Sequence, residues 1–185
     1  MMTLHRLIQR YCSFEKRVRQ WTETWCGPYC SACRHVCCRT HFCIETRQSV
    51  FLATLSERFS PESIFTPTHG WLGQEGCTLV AGRPPVCYEF VCGPITDAVA
   101  GDPLRHHALL SASSVLTHVG KRAIGGRHIV EAIRPADLQR INVDRFFTHL
   151  DQAEAAFDLA VDLLSGRQTR TSTDLLSRIV SPPKK

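Results

Sequence analysis

The sequence lacks any apolar run approaching the ~20 residues that a membrane-spanning helix requires. Charged residues interrupt every apolar stretch of residues 1–12, so we also expect no signal peptide. The order Gly-x-x-x-x-Gly-Lys-Ser/Thr of a phosphate-binding loop is missing, and neither a Ser-His-Asp pattern nor a pair of carboxylates stands out. Internal repeats are absent too. These absences exclude a membrane partner and leave open whether the protein is an enzyme.

Apolar residues recur every three or four positions in much of the chain, which predicts amphipathic helices. The first predicted helix covers residues 3–24 and is ended by Gly27-Pro28, and the second covers residues 44–59. A third helix begins at Pro103, and a fourth is capped by Asn142. Between the second and third of these helices, Gly and Pro are dense, which favours loops and at most a short hairpin.

These elements predict a mainly α-helical protein with one domain. We expect residues 1–165 to form a helical domain that wraps around an irregular, cysteine-rich metal-binding segment, residues 26–92. The remaining residues, 166–185, are rich in Ser, Thr, Arg, Pro and Lys, and we expect a loosely ordered tail with at most one terminal helix.

Cysteine is what the chain has in unusual amount. There are ten cysteines, and nine of them fall between Cys26 and Cys92. Thiols spaced two and three residues apart in residues 26–43 can converge on one ion with little loop closure to organise. A second group follows after a helical spacer and consists of Cys77, Cys87 and Cys92. The spacing predicts that the protein holds a metal.

A disulfide framework is the rival explanation of so many cysteines. A chain of 185 residues can bury a core without disulfides. The reducing cytoplasm, where we expect a protein without a signal peptide, would open disulfides in any case. We therefore favour metal ligation over disulfides. Cys12 lies at the border of an apolar helix stripe and is predicted to be a small core residue.

The spacing leaves the geometry of the site open. Cys30, Cys33 and Cys37 fall on one face if the segment is helical, whereas Cys30 and Cys33 alone would form a zinc knuckle. Cys37 and Cys38 are adjacent, so their side chains diverge and do not easily share one tetrahedral ion. Two ions, a bridged cluster, or packing of one of the two thiols in the core would explain the pair. We expect both cysteine segments to act as one shared cluster.

Charge is distributed unevenly along the chain. The net charge is +5, and residues 1–50 carry all of this excess with 8 Lys/Arg against 3 Asp/Glu. A basic segment can bind nucleic acid. The arginines that lie among the cysteines can instead compensate the negative charge of metal-bound thiolates, and they are Arg34, Arg39, Arg47 and Arg83. We favour compensation, so a nucleic-acid partner is disfavoured, and the sequence identifies no protein partner.

The cysteine pattern resembles the YkgJ-type cysteine-cluster family, which is described as a zinc- or iron-chelating domain. The matching order is Cys30-x-x-Cys33-x-x-x-Cys37-Cys38, Gly76-Cys77-x-Leu79 and Gly82-Arg83-Pro84-Pro85-x-Cys87-x-x-Phe90-x-Cys92. The family pattern has two residues before the double cysteine, whereas three separate Cys33 from Cys37 here. The resemblance implies a ligand set of Cys30, Cys33, Cys37, Cys38, Cys77, Cys87 and Cys92, to which Cys26 and Cys43 are further candidates. It implies zinc or iron as the cofactor and no particular reaction.

An iron–sulfur cluster is the main alternative to a zinc ion. Cys26-x-x-x-Cys30-x-x-Cys33 matches the cluster-binding triad of radical S-adenosylmethionine enzymes. However, Ala32 replaces the usual aromatic residue, and the chain has no series of β-α units. The leading prediction is a metal-binding protein of undefined role. One alternative is an iron–sulfur redox or electron-transfer protein or redox-linked enzyme, and a second is a zinc-dependent module that binds nucleic acid or protein. His35 and His41 are interpreted as surface residues rather than ligands.

Overall fold

The computed structural model describes residues 2–30, 38–74, 76–167 and 172–181, and these residues are mainly α-helical. In chain order the helices are α1 (Met2–Cys30), α2 (Thr40–Gln48), α3 (Val50–Phe59), α4 (Val86–Glu89), α5 (Gly93–Asp97), α6 (Pro103–Gly120), α7 (Pro135–Leu138), α8 (Val143–Leu164) and α9 (Asp174–Ile179). Two short antiparallel strands, β1 (Leu72–Gly73) and β2 (Gly76–Cys77), form a hairpin, and a 3-10 helix covers Ile129–Glu131. In the part of the chain described here, no helix is long and apolar enough to cross a membrane.

Helices α6 and α8 pack against each other and form the centre of the core. Both begin where their capping residues predict. The Asp102 carboxylate accepts hydrogen bonds from the backbone N–H groups of Leu104 and Arg105 at 3.0 and 3.1 Å. The Asn142 side chain accepts one from the N–H of Arg145 at 3.0 Å. These caps satisfy N–H groups that have no partner inside the helix.

Helix α1 lies on α8 through one buried face. The Phe14 and Phe157 rings pack edge to face with their centroids 5.7 Å apart. Beside this contact, the Arg10 guanidinium donates to the carboxylates of Asp151 at 3.0 Å and Glu154 at 2.6 Å. Helix α1 is thus anchored to the core along its length, and its last turns carry two of the cysteines.

The end of α1 differs from the sequence prediction. We expected Gly27-Pro28 to stop the helix, but α1 continues through both residues to Cys30. Proline in a helix removes one backbone hydrogen bond, and here that loss falls in the final turn. Packing of Trp25 and Tyr29 against the core offsets it.

The expected helix over residues 44–59 is two helices. Ser49 is non-helical with φ −78° and ψ 114°, and it separates α2 from α3. Its hydroxyl accepts a hydrogen bond from the N–H of Leu52 at 3.4 Å, as an N-cap does. The N–H of Val50 donates to the Ala132 carbonyl at 2.6 Å, which turns the chain away from the axis of α2.

The Gly- and Pro-rich segment forms the short hairpin of β1 and β2, followed by a helical turn. Val86–Glu89 form this helical turn, α4. Pro85 has helical angles, φ −52° and ψ −35°, and the N–H of Cys87 donates to the Pro84 carbonyl at 2.9 Å. The two prolines fix the angles that begin this turn.

The C-terminal segment contains the terminal helix that the sequence allowed. In residues 172–181, helix α9 packs against α6 and α8, and Leu176 is fully buried. The Ser111 hydroxyl donates to the Leu176 carbonyl at 3.3 Å, and a ring nitrogen of His107 lies 2.9 Å from the Val180 carbonyl oxygen. Leu176 of α9 is therefore part of the hydrophobic core. Residues 168–171 and 182–185 lie outside the described part.

Candidate metal centre

Two candidate ligands, Cys33 and Cys37, lie outside the described residues, as does His35. The structure places the other candidates at the end of α1, in α2 and just before it, in the hairpin, in α4 and directly before α5. No disulfide joins any two cysteines in the residues that the structure describes. Cys12 is 2% exposed and packs in the core, as predicted.

The Cys43 side chain on α2 lies against the backbone of Gly70. A Cβ atom at position 70 would overlap the Cys43 Sγ and would lie 3.2 Å from the Cys43 Cβ. Gly70 also has φ +62°, which side chains other than that of glycine rarely allow. The Thr40 hydroxyl, at the start of α2, donates to the Thr68 carbonyl at 2.9 Å. Helix α2 is therefore joined to the turn that precedes the hairpin.

Strand pairing brings Cys77 back to this turn. Cys77 pairs with Leu72 in the antiparallel hairpin, two residues after Gly70. The N–H of Thr78 donates to the Trp71 carbonyl at 2.8 Å. Cys77 is therefore held beside the segment against which the Cys43 thiol packs.

Arg83 ties Cys77 to the next cysteine-bearing turn. Its guanidinium donates to the carbonyls of Cys77 at 2.9 Å and Leu79 at 3.1 Å, and it lies 3.6 Å from the Glu23 carboxylate on α1. The side chain is only 14% exposed. Cys87 follows four residues later in α4, so one cation spans the hairpin and the turn that carries Cys87.

A buried carboxylate that the sequence analysis missed anchors this loop. Glu15 is fully buried on α1, and its oxygens accept hydrogen bonds from the N–H groups of Gly82 and Arg83 at 2.8 and 2.9 Å and from the Tyr88 hydroxyl at 3.1 Å. Burial raises the pKa of Glu15 from 4.5 to about 7, although the three hydrogen bonds and Arg83 act to lower it. In the sequence, the sign of this role is a single carboxylate among apolar residues, on the same face of α1 as Tyr11 and Val18.

The same loop meets the other helices at Gly82. A Cβ at this position, where φ is +86°, would lie 2.6 Å from the Leu52 carbonyl oxygen and 2.8 Å from the Ser56 nitrogen. The Thr46 hydroxyl donates to the Gly82 carbonyl at 2.8 Å. Thr46 lies one turn after Cys43 on α2, so this bond fixes α2 against the loop that leads to Cys87.

The electrostatics of Cys87 identify its neighbours. The pKa of the Cys87 thiol is raised to about 12, chiefly by burial and then by the thiolates of Cys77 and Cys43. Arg83 acts to lower this pKa, and Cys38 adds a further upward effect. We call this group the hairpin set, and it consists of Cys38, Cys43, Cys77 and Cys87.

A second group lies at the end of α1. Cys26 and Cys30 are one turn apart on one helix face, and Cys92 is the residue that precedes α5, which contacts α1. The pKa of Cys26 is raised to about 11 by burial, then by Cys30 and Cys92. Cys26 and Cys92 both pack against the core. We call Cys26, Cys30 and Cys92 the helix set.

The thiols of each set are close enough to affect one another's pKa values, but they are not arranged around a common metal position. Within residues 2–30, 38–74, 76–167 and 172–181, no three His, Cys, Asp or Glu side chains are placed to hold a metal ion. The donor chemistry nevertheless fits zinc or iron, since thiolates prefer these metals. The Cys43 thiol also lies in a cradle that any side chain at position 70 would fill. Because high pKa values keep Cys26 and Cys87 protonated at neutral pH, metal binding there would release protons.

The histidines of the described residues do not join either set in the contacts that the structure gives. His41 is exposed on α2 and packs against Phe42 with the ring centroids 4.2 Å apart. His118 and His149 pack against each other between α6 and α8, with their ring centroids 4.8 Å apart. The pKa values of both are lowered, chiefly by burial. Both belong to the helical core and lie away from the cysteine-bearing loops.

Comparison of the chain with protein-family models, with curated proteins and with solved structures finds no match.

Proposed function

We propose that this protein binds zinc or iron through cysteine thiolates. The observation that carries the proposal is that separate stretches of chain bring thiols to one turn, where the Cys43 thiol packs against Gly70 and strand pairing sets Cys77 opposite Leu72. Bringing such segments together closes a long loop at a cost on the order of a few kcal/mol. A structural zinc ion returns ~10–16 kcal/mol, so metal binding can supply the difference.

The resemblance to the YkgJ-type family supports the same function from the sequence. We propose that the helical core, with α1 at one side, wraps around the cysteine-bearing loops and that the metal completes their fold. A reducing compartment, the cytoplasm, belongs to this proposal because thiolate ligands must stay reduced. The biochemical role beyond metal binding stays undefined.

Charge compensation supports a metal centre over a nucleic-acid surface. A zinc ion with four thiolates carries a net negative charge, which a nearby cation stabilises. Arg83 is such a cation, since it acts electrostatically on both Cys77 and Cys87. Its guanidinium is already occupied by two backbone carbonyls and by Glu23, so it is not presented to a phosphate backbone.

The experiment that tests the function is elemental analysis of protein expressed and purified without oxygen. We expect zinc or iron to copurify with the chain and to be lost from Cys87→Ser. Cys12→Ala is the matched control, because it removes a buried core thiol that belongs to neither set. A chain that contains no zinc or iron, and that binds neither after reduction and reconstitution, would contradict the proposal.

The absorption spectrum of the same sample separates the two metals. A colourless protein with stoichiometric zinc indicates a closed, non-redox site and thus a structural or interaction role. A brown protein with broad visible absorption indicates an iron–sulfur cluster and supports electron transfer or a redox-linked enzyme.

A further inference from the structure

Three histidines lie around the end of α6. His118 belongs to the last turn of α6, His149 lies on the facing helix α8, and His128 lies on the loop that follows α6. We propose that these three side chains form a pH-sensitive joint, which we call the histidine joint. It is closed while the imidazoles are neutral, and it opens when they are protonated. The inference goes beyond the proposed metal binding and does not depend on it.

Hydrogen bonds fix the protonation state of His128. Its Nε2 lies 2.9 Å from the Thr117 carbonyl oxygen, which can only accept, so Nε2 carries the proton of the neutral ring. Its Nδ1 accepts a hydrogen bond from the N–H of Val130 at 3.3 Å. An imidazolium carries a proton on both nitrogens. Protonation therefore turns Nδ1 into a donor that faces another donor, and the bond to Val130 is lost.

The ring of His128 also packs closely on the backbone of α6. A Cβ atom at Gly120 would overlap Cε1 and Nε2 of His128, so the ring cannot move toward the helix to escape the repulsion. The same residue caps the 3-10 helix Ile129–Glu131, and its backbone N–H donates to the Glu131 carboxylate at 2.8 Å. Loss of the bond to Val130 therefore loosens the contact with α6 and the 3-10 helix together.

His118 and His149 close the other side of the joint, between α6 and α8. Their ring centroids are 4.8 Å apart, His118 is only 8% exposed, and its Nε2 lies 3.0 Å from the side-chain oxygen of Gln152. The Nδ1 atom of His149 is buried and has no hydrogen-bond partner among the residues that the structure describes. A proton on this nitrogen would lack an acceptor, and two imidazolium rings at this distance would repel each other.

The charged groups that face this pair oppose its protonation. Burial is the largest effect and lowers the pKa of both His118 and His149. Lys121, just after α6, lowers both pKa values further, and Arg145 on α8 lowers that of His149. Hydrogen bonding to Gln152 and to the His118 backbone acts in the opposite direction and leaves both pKa values lowered.

The charges that face His128 are negative, but burial outweighs them. The pKa of His128 is lowered by burial, although the Thr117 carbonyl and the carboxylates of Glu131 and Glu89 act to raise it. The folded chain thus keeps this imidazole neutral, whereas the unfolded chain protonates it below the ordinary pKa of 6.5. The stability that the joint contributes is therefore complete above pH 6.5 and is lost as the pH falls below that value.

The joint bears on the start of α3. The N–H of Val50, the first residue of α3, donates to the Ala132 carbonyl at 2.6 Å, and the N–H of Ala132 donates to the Ile129 carbonyl at 3.1 Å. The 3-10 helix that His128 caps therefore holds the point at which α3 begins. Opening of the joint in acid releases this contact, so the Val50 amide reports the state of the joint.

The first test follows the histidine ring signals of the reduced wild-type chain by NMR from about pH 8 to about pH 5. We expect His118, His128 and His149 each to titrate with a midpoint below 6.5, because the closed joint excludes the second proton from each ring. A midpoint of 6.5 or higher for any of the three would overturn the proposal. This measurement needs only the wild type to fold.

The second test measures amide hydrogen exchange, corrected for its intrinsic pH dependence. Between about pH 7.5 and about pH 5.5, each histidine that the joint keeps neutral should raise the opening constant at Val50 by about tenfold. His128→Gln should remove about one tenfold factor from this ratio, and a constant loss of stability in the variant cancels out of it. His5→Gln, which changes an exposed histidine on α1, is the matched control and should keep the wild-type ratio.

Two results of the exchange experiment would contradict the joint. One is a wild-type ratio that His128→Gln leaves unchanged, because His128 would then take no part in the acid response. The other is equal protection of the amides of Val50 and Phe157, a core residue within α8, because Val50 would then open only with the whole fold. Faster exchange at Val50 than at Phe157, together with the smaller ratio in His128→Gln, supports a local joint.

Discussion

The buried carboxylate of Glu15 offers the sharpest test of how the cysteine-bearing loop is held. Replacing Glu15 with alanine leaves the N–H groups of Gly82 and Arg83 and the Tyr88 hydroxyl without their acceptor. A hydrogen bond of this kind contributes about 1–1.5 kcal/mol, so loss of all three should destabilise the metal-free protein by about 3–5 kcal/mol. Glu15→Gln keeps one acceptor oxygen, but its NH₂ group then faces an N–H or O–H donor of the loop. This substitution should lower the free energy of unfolding by about 1–3 kcal/mol.

The pH dependence of stability gives the same residue an independent signature. The folded-state pKa of Glu15, about 7, lies above the ordinary 4.5, so the folded chain binds more protons between these values. Its contribution to the free energy of unfolding is therefore complete below pH 4.5 and is lost as the pH rises through 7. The full effect of such a shift is about 3 kcal/mol. Glu15→Gln should remove this slope.

Equilibrium unfolding in urea, followed by circular dichroism on reduced protein with a chelator present, measures both effects. The matched control is Glu23→Gln, which changes a half-exposed carboxylate on the same helix and should cost less than about 1 kcal/mol. If the unfolding free energies of the wild type and Glu15→Gln run parallel between pH 5 and 7.5, Glu15 does not titrate as the structure implies. If Glu15→Ala unfolds with the wild-type midpoint, the loop is not held by this carboxylate.

Three further predictions follow from individual contacts. Gly70→Ala should lower the bound metal and destabilise the chain by about 1–3 kcal/mol, because the new methyl group overlaps the Cys43 thiol. Gly125 also has positive φ, but a methyl group there would meet no neighbouring atom. Gly125→Ala therefore shows in the same metal assay what backbone strain does without this overlap. Metal removal should increase amide hydrogen exchange and thiol reactivity in residues 26–92 while α6 and α8 keep their protection; uniform exchange in both forms would show that the metal does not organise the segment. Leu176→Ala should cost about 2–5 kcal/mol in urea unfolding because it opens a cavity beside α6 and α8, whereas a loosely held tail would show almost no change.

Much of the helical architecture follows from local sequence signals. The caps Asp102 and Asn142 and the apolar periodicity behind them set the starts of α6 and α8, since capping and amphipathicity involve residues within a few positions of each other. Local signals failed where distant contacts decided the outcome. Core packing carries α1 through Pro28, and a hydrogen bond to Ala132 helps to divide the expected second helix at Ser49.

The site divides in the same way. The sequence determined which atoms are available, because cysteine spacing and composition alone make thiolate chemistry the leading hypothesis. Only the tertiary structure decided which elements meet, and it packed the Cys43 thiol of α2 against Gly70 and returned Cys77 to the same turn by strand pairing. It also placed Glu15 beneath the loop that carries Cys87. Such grouping depends on helix packing and on a buried carboxylate, and spacing along the chain encodes neither.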